Sequence, residues 1–119
     1  MNLMSAQDFS SESEYRACIQ DSFKKIEKVF EDVDPDVAEC DQQFGVLTIR
    51  LADQSRCILS AQPSVRQLWL ALAAKGVAHH FNYDFAQKRW MDDKGKGLEL
   101  LSCLSAFLNE ETGLNLKLI

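Results

Sequence analysis

The hydrophobic pattern of this chain changes its period once, at Asp34-Pro35, and this change places the strongest constraint on the fold. Before the proline, apolar residues recur every three or four positions, which is the spacing of one helix face. After it, apolar and polar residues alternate in short runs, as they do on half-buried β-strands. Because the residue before a proline disfavours helical geometry, a helix is expected to end here. The sequence therefore predicts a long helix followed by a sheet.

The predicted N-terminal helix covers about residues 12 to 33 and follows a loose lead-in at residues 1 to 10. It starts at Ser11-x-x-Glu14, a capping-box pattern in which the hydroxyl and the carboxylate accept hydrogen bonds from free backbone amides. One apolar stripe runs along the helix and is expected to face the core. The stripe consists of Tyr15, Cys18, Ile19, Phe23, Ile26, Phe30 and Val33.

Six short strands and a second helix are predicted after the proline. The turns between the strands contain Gly, Pro, Ser or Asp, the residues that turns favour. The second helix is expected at about 98 to 111 and precedes Gly113, a residue that suits the position after a helix. The apolar tail at 114–119 is expected to pack back between the helices. The predicted strands are 37–44, 46–51, 56–62, 67–72, 80–85 and 88–91.

This order of elements is an α+β pattern. Each helix has one apolar face and the strands alternate, so both helices should pack on one face of an antiparallel sheet and leave the other face to solvent. At 119 residues the chain is large enough to bury a core without disulfides or metals. We therefore predict a two-layer α–β sandwich, formed by a single domain over residues 1–119.

The net charge of −5 and the pI near 4.9 argue against a surface for nucleic acid or anionic membrane, which requires a basic patch. No apolar run approaches the roughly 20 residues that span a bilayer. No phosphate-binding loop, dinucleotide fingerprint or nucleophile elbow is present, so no enzymatic activity is expected. The charge favours cationic partners, either metal ions or a basic surface on another protein.

Four scattered cysteines indicate reduced thiols rather than a zinc site, since a site of four cysteines normally contains a close pair. Each lies within an apolar pattern and is expected to be a small buried residue. The N-terminus carries no signal-peptide pattern. The expected location is the cytoplasm of a bacterium, or the mitochondrial matrix if a transit peptide has been removed. The cysteines are Cys18, Cys40, Cys57 and Cys103.

Acidic residues are concentrated between Glu27 and Asp41, where seven acids and one base give −6 against −5 for the whole chain. Glu27, Glu31 and Asp34 are spaced to stack on one helix face near its C-terminus, where the helix dipole disfavours negative charge. Carboxylates alone form weak, unselective sites for hard cations, or they dock against arginines of a partner. A merely solvated acidic face is the alternative. The seven acids are Glu27, Glu31, Asp32, Asp34, Asp36, Glu39 and Asp41.

Alternation in the fourth predicted strand leaves Gln67 and Trp69 on the open face of the sheet. An exposed tryptophan suggests a contact surface. His79 and His80 are adjacent, so on a strand they face opposite ways and do not chelate one metal together. Both are interpreted as surface or packing residues, with a minor metal contact at His80 as the alternative.

Several short strings resemble the frataxin family in its bacterial (CyaY-type) form, from about residue 11 to the end. Their order and spacing make the resemblance specific. The third strand departs from the family, with Ser60-Ala61-Gln62 where Asn-Lys-Gln is common. The matching strings are GVLTIRL at 45–51, QLWLA at 67–71, HF at 80–81, Trp90 and LELL at 98–101, with the alternating acids Asp32, Asp34 and Asp36.

The resemblance implies the same α–β sandwich, with Trp90 in the core. It also implies an iron-binding regulator, or iron donor, of iron–sulfur cluster assembly. Iron, as Fe²⁺ or Fe³⁺, would bind weakly on the seven acids, and other divalent cations would substitute. A cysteine desulfurase and an iron–sulfur scaffold protein would be the partners. They would contact Glu31, Asp32, Asp34 and Asp36 and, on the open face, Gln62, Gln67 and Trp69.

Two further functions remain open. A ferroxidase or iron-storage protein would act through iron-dependent oligomers, whereas the regulator is expected to be a monomer. A metal-free acidic module would bind a basic protein, for example as a nucleic-acid mimic. Faster Fe(II) oxidation with large assemblies would indicate the first function, and the absence of a site-specific metal response would indicate the second.

Overall fold

The computed structural model describes residues 8–118, so residues 1–7 of the predicted lead-in and Ile119 of the predicted tail lie outside the described part. Within it, two α-helices flank six strands. The strands form one antiparallel sheet in which each strand pairs with its neighbours in sequence. This arrangement confirms the predicted α+β fold. The elements are α1 (Glu12–Phe30), β1 (Ala38–Gln43), β2 (Val46–Leu51), β3 (Arg56–Gln62), β4 (Gln67–Leu72), a 3₁₀ turn (Ala73–Lys75), β5 (Val77–Asp84), β6 (Arg89–Asp92) and α2 (Leu100–Thr112).

The first turn of α1 is capped as the sequence predicts, with one difference. The Ser11 hydroxyl accepts a hydrogen bond from the Glu14 amide at 3.1 Å. The Glu14 carboxylate reaches back to the amide of Ser10 at 2.9 Å, one residue earlier than in a capping box. Phe9, which the sequence placed in the loose lead-in, is buried, and its ring packs edge-on against Tyr15 with centroids 5.4 Å apart. The chain is therefore held against the core from Phe9 onward.

Helix α1 ends at Phe30, three residues before the predicted end at Val33. Glu31 is the C-cap residue, and the chain continues as a turn in which the Val33 amide donates to the Phe30 carbonyl at 3.2 Å. Glu31 and Asp32 add negative charge where the helix dipole is also negative, which disfavours a further helical turn. The prediction that Asp34 stacks with the helical acids on one helix face is therefore wrong.

Left-handed backbone geometry sets three strand boundaries that periodicity misplaced. Strand β5 starts at Val77, three residues before the predicted start, because Gly76 (φ 64°) lets the chain extend directly after the 3₁₀ turn. Lys88 (φ 55°) belongs to the β5–β6 turn, so β6 starts one residue later than predicted. Phe44 (φ 50°) belongs to the β1–β2 turn rather than to β1. Extended strands do not include this geometry.

Helix α2 starts at Leu100, two residues later than predicted, because Glu99 caps it. The Glu99 carboxylate accepts hydrogen bonds from the amides of Leu101 at 2.8 Å and Ser102 at 3.0 Å. These bonds satisfy amides that have no partner inside the helix. Gly113 follows the helix in left-handed geometry (φ 75°), as predicted.

The C-terminal tail packs along α2. The Asn109 side chain accepts a hydrogen bond from the Leu116 amide at 2.7 Å and donates one to the Leu116 carbonyl at 3.0 Å. The Leu118 amide donates to the Ser105 hydroxyl at 3.1 Å, and the Leu118 side chain is buried. The tail therefore returns onto the core along α2 as far as Leu118, and its predicted position between the two helices stays a prediction.

The core lies between the two helices and one face of the sheet, as predicted. Trp90, expected in the core, is buried, and its indole N–H donates to the Ser22 hydroxyl at 3.0 Å. No helix among residues 8–118 is both long and apolar enough to span a bilayer. The buried residues of the helices and the sheet are Tyr15, Ile19, Phe23, Ile26 and Phe30 of α1, Ala38, Leu47, Ile49, Leu51, Cys57, Leu59, Leu68, Leu70, Leu72, Phe81 and Trp90 of the sheet, and Leu100, Leu104, Phe107 and Leu108 of α2.

Candidate functional site

The seven predicted acids lie at the C-terminal end of α1, in the connection that follows it and on the edge strand β1. Six of them are exposed, and Glu27 is half-buried. Among residues 8–118, no ion pair within 4 Å involves any of the seven. Their charges are therefore available to a cation or a basic partner. This group is named the acidic surface: Glu27, Glu31, Asp32, Asp34, Asp36, Glu39 and Asp41.

Hydrogen bonds position two carboxylates of the acidic surface, those of Asp34 and Glu27, without neutralising them. The Asp34 carboxylate accepts a hydrogen bond from the Asp36 amide at 2.9 Å, and the Asp34 carbonyl accepts one from the Val37 amide at 2.8 Å. This is an Asx-type turn, in which an aspartate side chain bonds the backbone two residues later. Glu27 accepts a hydrogen bond from the Gln42 side chain at 3.0 Å, which links α1 to β1. All of these donors are neutral, so the negative charge persists.

A groove of about 440 Å³ runs between α1 and β1, with Glu27, Glu31 and Glu39 among its lining residues. Within residues 8–118, no three His, Cys, Asp or Glu side chains converge closely enough to hold one metal ion. A cation in the groove would therefore be held by one or two carboxylates, and water would complete its coordination. Such a site is weak and accepts several divalent cations.

The four cysteines are free thiols. Burial raises the pKa of Cys40, which lines the groove, to about 12, and the charges of Glu27 and Asp41 add to the rise. Burial also raises the pKa of Cys57 to about 12. Both thiols stay protonated near pH 7, which makes them poor metal ligands and poor nucleophiles. The predicted full burial is confirmed for Cys57, whereas the other three cysteines are half-buried.

The second predicted contact surface lies on the open face of the sheet, where β3 ends and β4 begins. Gln62 pairs with Gln67 across the two strands. The Trp69 indole N–H donates to the Gln67 side-chain oxygen at 2.8 Å. The Gln67 side-chain amide donates to the carboxamide of Asn82 and the carboxylate of Asp93, both at 3.1 Å. The side chains of Trp69, Gln67, Asn82 and Asp93 thus form a connected polar network, and Gln62 adjoins it through the strand pairing. Gln62, Gln67 and Trp69 are named the sheet patch.

His80 covers one face of the Trp69 ring, with centroids 4.0 Å apart and planes 10° from parallel. The tryptophan, predicted to be exposed, is therefore half-buried. The imidazole Nδ1 of His80 also lies 3.9 Å from the Asp93 carboxylate. His79 lies near Phe81 of the buried face, with ring centroids 6.2 Å apart, so the two histidines face opposite ways as predicted. The stack depends on the pairing of Trp69 with His80, which periodicity does not reveal.

A buried hydroxyl supports the sheet patch from the core side. Tyr15 of α1 donates a hydrogen bond to the Gln67 carbonyl at 2.6 Å and accepts one from the Gln62 amide at 2.9 Å. Burial raises the pKa of Tyr15, so the hydroxyl keeps its proton. In the sequence, Tyr15 is distinguished only as a member of the apolar stripe. The available signal was its phenolic hydroxyl, which needs a partner when buried.

The open face of the sheet connects the acidic surface to the sheet patch. A row of paired residues crosses four strands on this face: Gln43, Val46, Ser60 and Trp69. Asp41 precedes Gln43 by two residues on β1 and therefore points the same way. Only β2 lies between the acidic edge strand and β3, so one protein partner can contact both surfaces.

Residues 8–114, which contain both surfaces, match a family model described as a frataxin-like domain. The chain belongs to the frataxin family. The iron–sulfur cluster assembly protein CyaY of Pseudomonas fluorescens (strain Pf0-1) is 33% identical to it over 103 residues, covering 87% of this chain and 90% of the relative. That relative is named for cluster assembly and not for an enzymatic reaction. The resemblance seen in the sequence is confirmed.

Solved structures of frataxins share the fold. Frataxin from Psychromonas ingrahamii has a TM-score of 0.81 at 26% identity, covering 92% of this chain and 98% of its own. Trimeric frataxin from Saccharomyces cerevisiae, solved in complex with ferrous iron, has a TM-score of 0.61 at 19% identity over 90% of each chain. At that identity, the yeast structure supports the frataxin fold alone.

Proposed function

We propose that this frataxin binds iron weakly on the acidic surface and docks on a cysteine desulfurase–scaffold complex, where it regulates iron–sulfur cluster assembly. The observation that carries the proposal is a set of six exposed carboxylates, without ion-pair partners among residues 8–118, in a chain of this family. The name of the Pseudomonas fluorescens relative supports the assembly role. The cytoplasm is the proposed location.

The iron would be a cargo and not a resident cofactor. Oxygen ligands suit ferrous and ferric iron as hard cations, and the groove between α1 and β1 supplies carboxylates from both elements. Because no three metal-ligating side chains of residues 8–118 converge, water molecules would supply most of the ligands of the bound iron. Iron held in this way exchanges readily, and other divalent cations compete with it.

Docking would use the two surfaces differently. Exposed negative charge attracts a basic partner over a distance and speeds the encounter, at a rate that falls with ionic strength. The sheet patch offers an aromatic ring and ordered amides, which contribute only after contact. Because both surfaces reach the open face, a single docking pose would engage them together.

The test is a charge reversal of four acids to lysine, measured beside wild type for binding to the desulfurase at low and moderate salt. We expect a loss of at least about 100-fold in affinity at low salt, because several unpaired charges change sign together. Anaerobic Fe(II) titration should show a parallel loss of iron binding. The matched control reverses four exposed acids away from the acidic surface, so that the net charge is the same. The test variant changes Glu31, Asp32, Asp34 and Asp36, and the control changes Glu12, Asp21, Glu110 and Glu111.

Loss of binding in the test variant but not in the control supports the proposal. An equal loss of desulfurase binding in the test and control variants would show that only the net charge matters. Undiminished binding in both variants would overturn docking through the acidic surface. Unchanged Fe(II) binding would overturn the iron site. Thermal unfolding checks the fold: relief of unfavourable charge at the end of α1 should roughly offset the loss of the Asx-turn hydrogen bond of Asp34, so that stability stays about equal. Rapid Fe(II) oxidation with large assemblies would instead indicate the ferroxidase alternative.

A further inference from the structure

The tip of the β1–β2 hairpin exposes a phenylalanine completely. Phe44 is 100% exposed, whereas the other large exposed apolar residues of the described chain, Val65 and Val77, are 54% and 42% exposed. Aromatic side chains gain more than most from leaving water. In the isolated protein, the Phe44 ring realises none of that gain.

The backbone at Phe44 adds a second unfavourable feature. Phe44 (φ 50°) and Gly45 (φ 77°) form a two-residue turn in which both residues have positive φ, as in a type I′ turn. The first position of such a turn favours Asn, Asp or Gly, and a bulky side chain there is an outlier. Strain of this kind clusters at functional sites. A phenylalanine that is both strained and fully exposed therefore indicates a contact with another molecule.

The position of the hairpin tip shows which surfaces of this protein the contacting molecule would face. The Ala61 amide donates to the Gly45 carbonyl at 2.9 Å, which places the tip beside the end of β3, where Gln62 begins the sheet patch. Asp41 of the acidic surface precedes Phe44 by three residues on the other side. Phe44 therefore lies between the two proposed contact surfaces, with unpaired negative charge along the strand that leads to it.

We propose that Phe44 is an anchor that inserts into an apolar pocket on the partner complex, and that basic side chains around this pocket face Glu39 and Asp41. The inference rests on the proposed docking function and adds the chemistry of the partner's surface. A second copy of this chain fits less well, because it would bring another acidic β1 edge against the first. Like charges across an interface oppose association.

The experiment compares wild type with Phe44→Asn, and with Val77→Ser as the control. Val77 is a partly exposed apolar residue at the opposite end of the sheet. We expect Phe44→Asn to weaken binding to the desulfurase–scaffold complex by about 10-fold or more, as for an aromatic anchor. The same change should raise Tm by on the order of 3 °C, since Asn adopts left-handed geometry more readily. Val77→Ser should leave Kd within about twofold.

Weaker binding together with a higher Tm supports the inference, since a folding defect would weaken binding but lower Tm. If Phe44→Asn binds as wild type does while the four-acid reversal still loses binding, the anchor is overturned and the proposed function stands. If wild type does not bind the complex, both are overturned. If analytical ultracentrifugation shows a wild-type dimer that Phe44→Asn dissociates, the occupant is a second copy and the partner pocket is overturned.

Discussion

The acidic surface and the sheet patch meet on one face of the sheet, but they are built in opposite ways. In the acidic surface, the carboxylates of Asp34 and Glu27 accept hydrogen bonds from neutral donors, and none of the seven is ion-paired within residues 8–118. In the sheet patch, the Trp69 and Gln67 side chains bond to each other, and a buried hydroxyl holds the backbone of Gln67 and Gln62. Unpaired charge acts across roughly 8 to 10 Å at ordinary ionic strength, whereas a bonded array acts only on contact. One surface is suited to attract and the other to discriminate.

If the sheet patch depends on its support, Tyr15→Phe should have the largest effect on stability. Without the hydroxyl, the Gln67 carbonyl and the Gln62 amide lose their partner beneath the sheet. We expect a decrease of about 1 to 3 kcal/mol in the free energy of unfolding, measured with urea. Tyr83→Phe is the control, since its hydroxyl does not bridge the two strands. An equal decrease in the free energy of unfolding for the two variants would show that the Tyr15 hydroxyl bridge adds no stability of its own.

Removing the aromatic ring of the sheet patch should weaken docking in a manner that salt does not alter. For Trp69→Ala we expect a loss of about 10-fold in affinity for the desulfurase complex, the same at low and moderate salt. Trp69→Phe, which keeps a ring to stack on His80, should lose less. A loss for Trp69→Ala that disappears at moderate salt would place this residue with the charge effects instead.

Neutralising acids at the end of α1 should stabilise the fold slightly, whereas removing polar groups that support the sheet patch should not stabilise it. For Glu31→Gln with Asp32→Asn we expect Tm to rise by about 1 to 3 °C at low salt, since unfavourable charge near the helix C-terminus is removed. Glu110→Gln is the matched control in the last turn of α2. Glu110 is paired with Lys75 at 3.4 Å, so its neutralisation should give no gain. A fall in Tm for the double variant would mean that these acids are structural.

The smallest expected effect is a change in the pKa of Cys40, which responds to the negative charge of the acidic surface. Because Glu27 and Asp41 add to the raised pKa of this thiol, neutralising them should lower the pKa and increase the thiolate fraction. Alkylation of Cys40 in Glu27→Gln/Asp41→Asn should be roughly threefold faster at pH 8, measured by peptide mass spectrometry. In both proteins the rate should rise about tenfold per pH unit below the pKa. Cys57 is the internal control and should not change.

Local pattern predicted most of this fold, because each strand pairs with its neighbour and periodicity alone assigns the buried face. It failed where two local signals compete, as at Val33, whose apolar character suggested helix while the adjacent acids ended it. It also failed where the outcome depends on register. The stack of His80 on Trp69 and the exposure of Phe44 follow from turn geometry, and nothing in the alternation of polar and apolar residues encodes either.

The attachment of α1 has a consequence for the chain as it leaves the ribosome. The sheet can form hairpin by hairpin, since every strand pairs with one made just before or just after it. Helix α1 is synthesised before the strands. The hydrogen-bond partner of Tyr15, Gln67, is synthesised 52 residues later, and that of Ser22, Trp90, is synthesised 68 residues later. At about 5 to 20 residues per second, the wait for Trp90 lasts roughly 3 to 14 s. During that time the apolar face of α1 and the sheet residues that it will cover are both open to a chaperone.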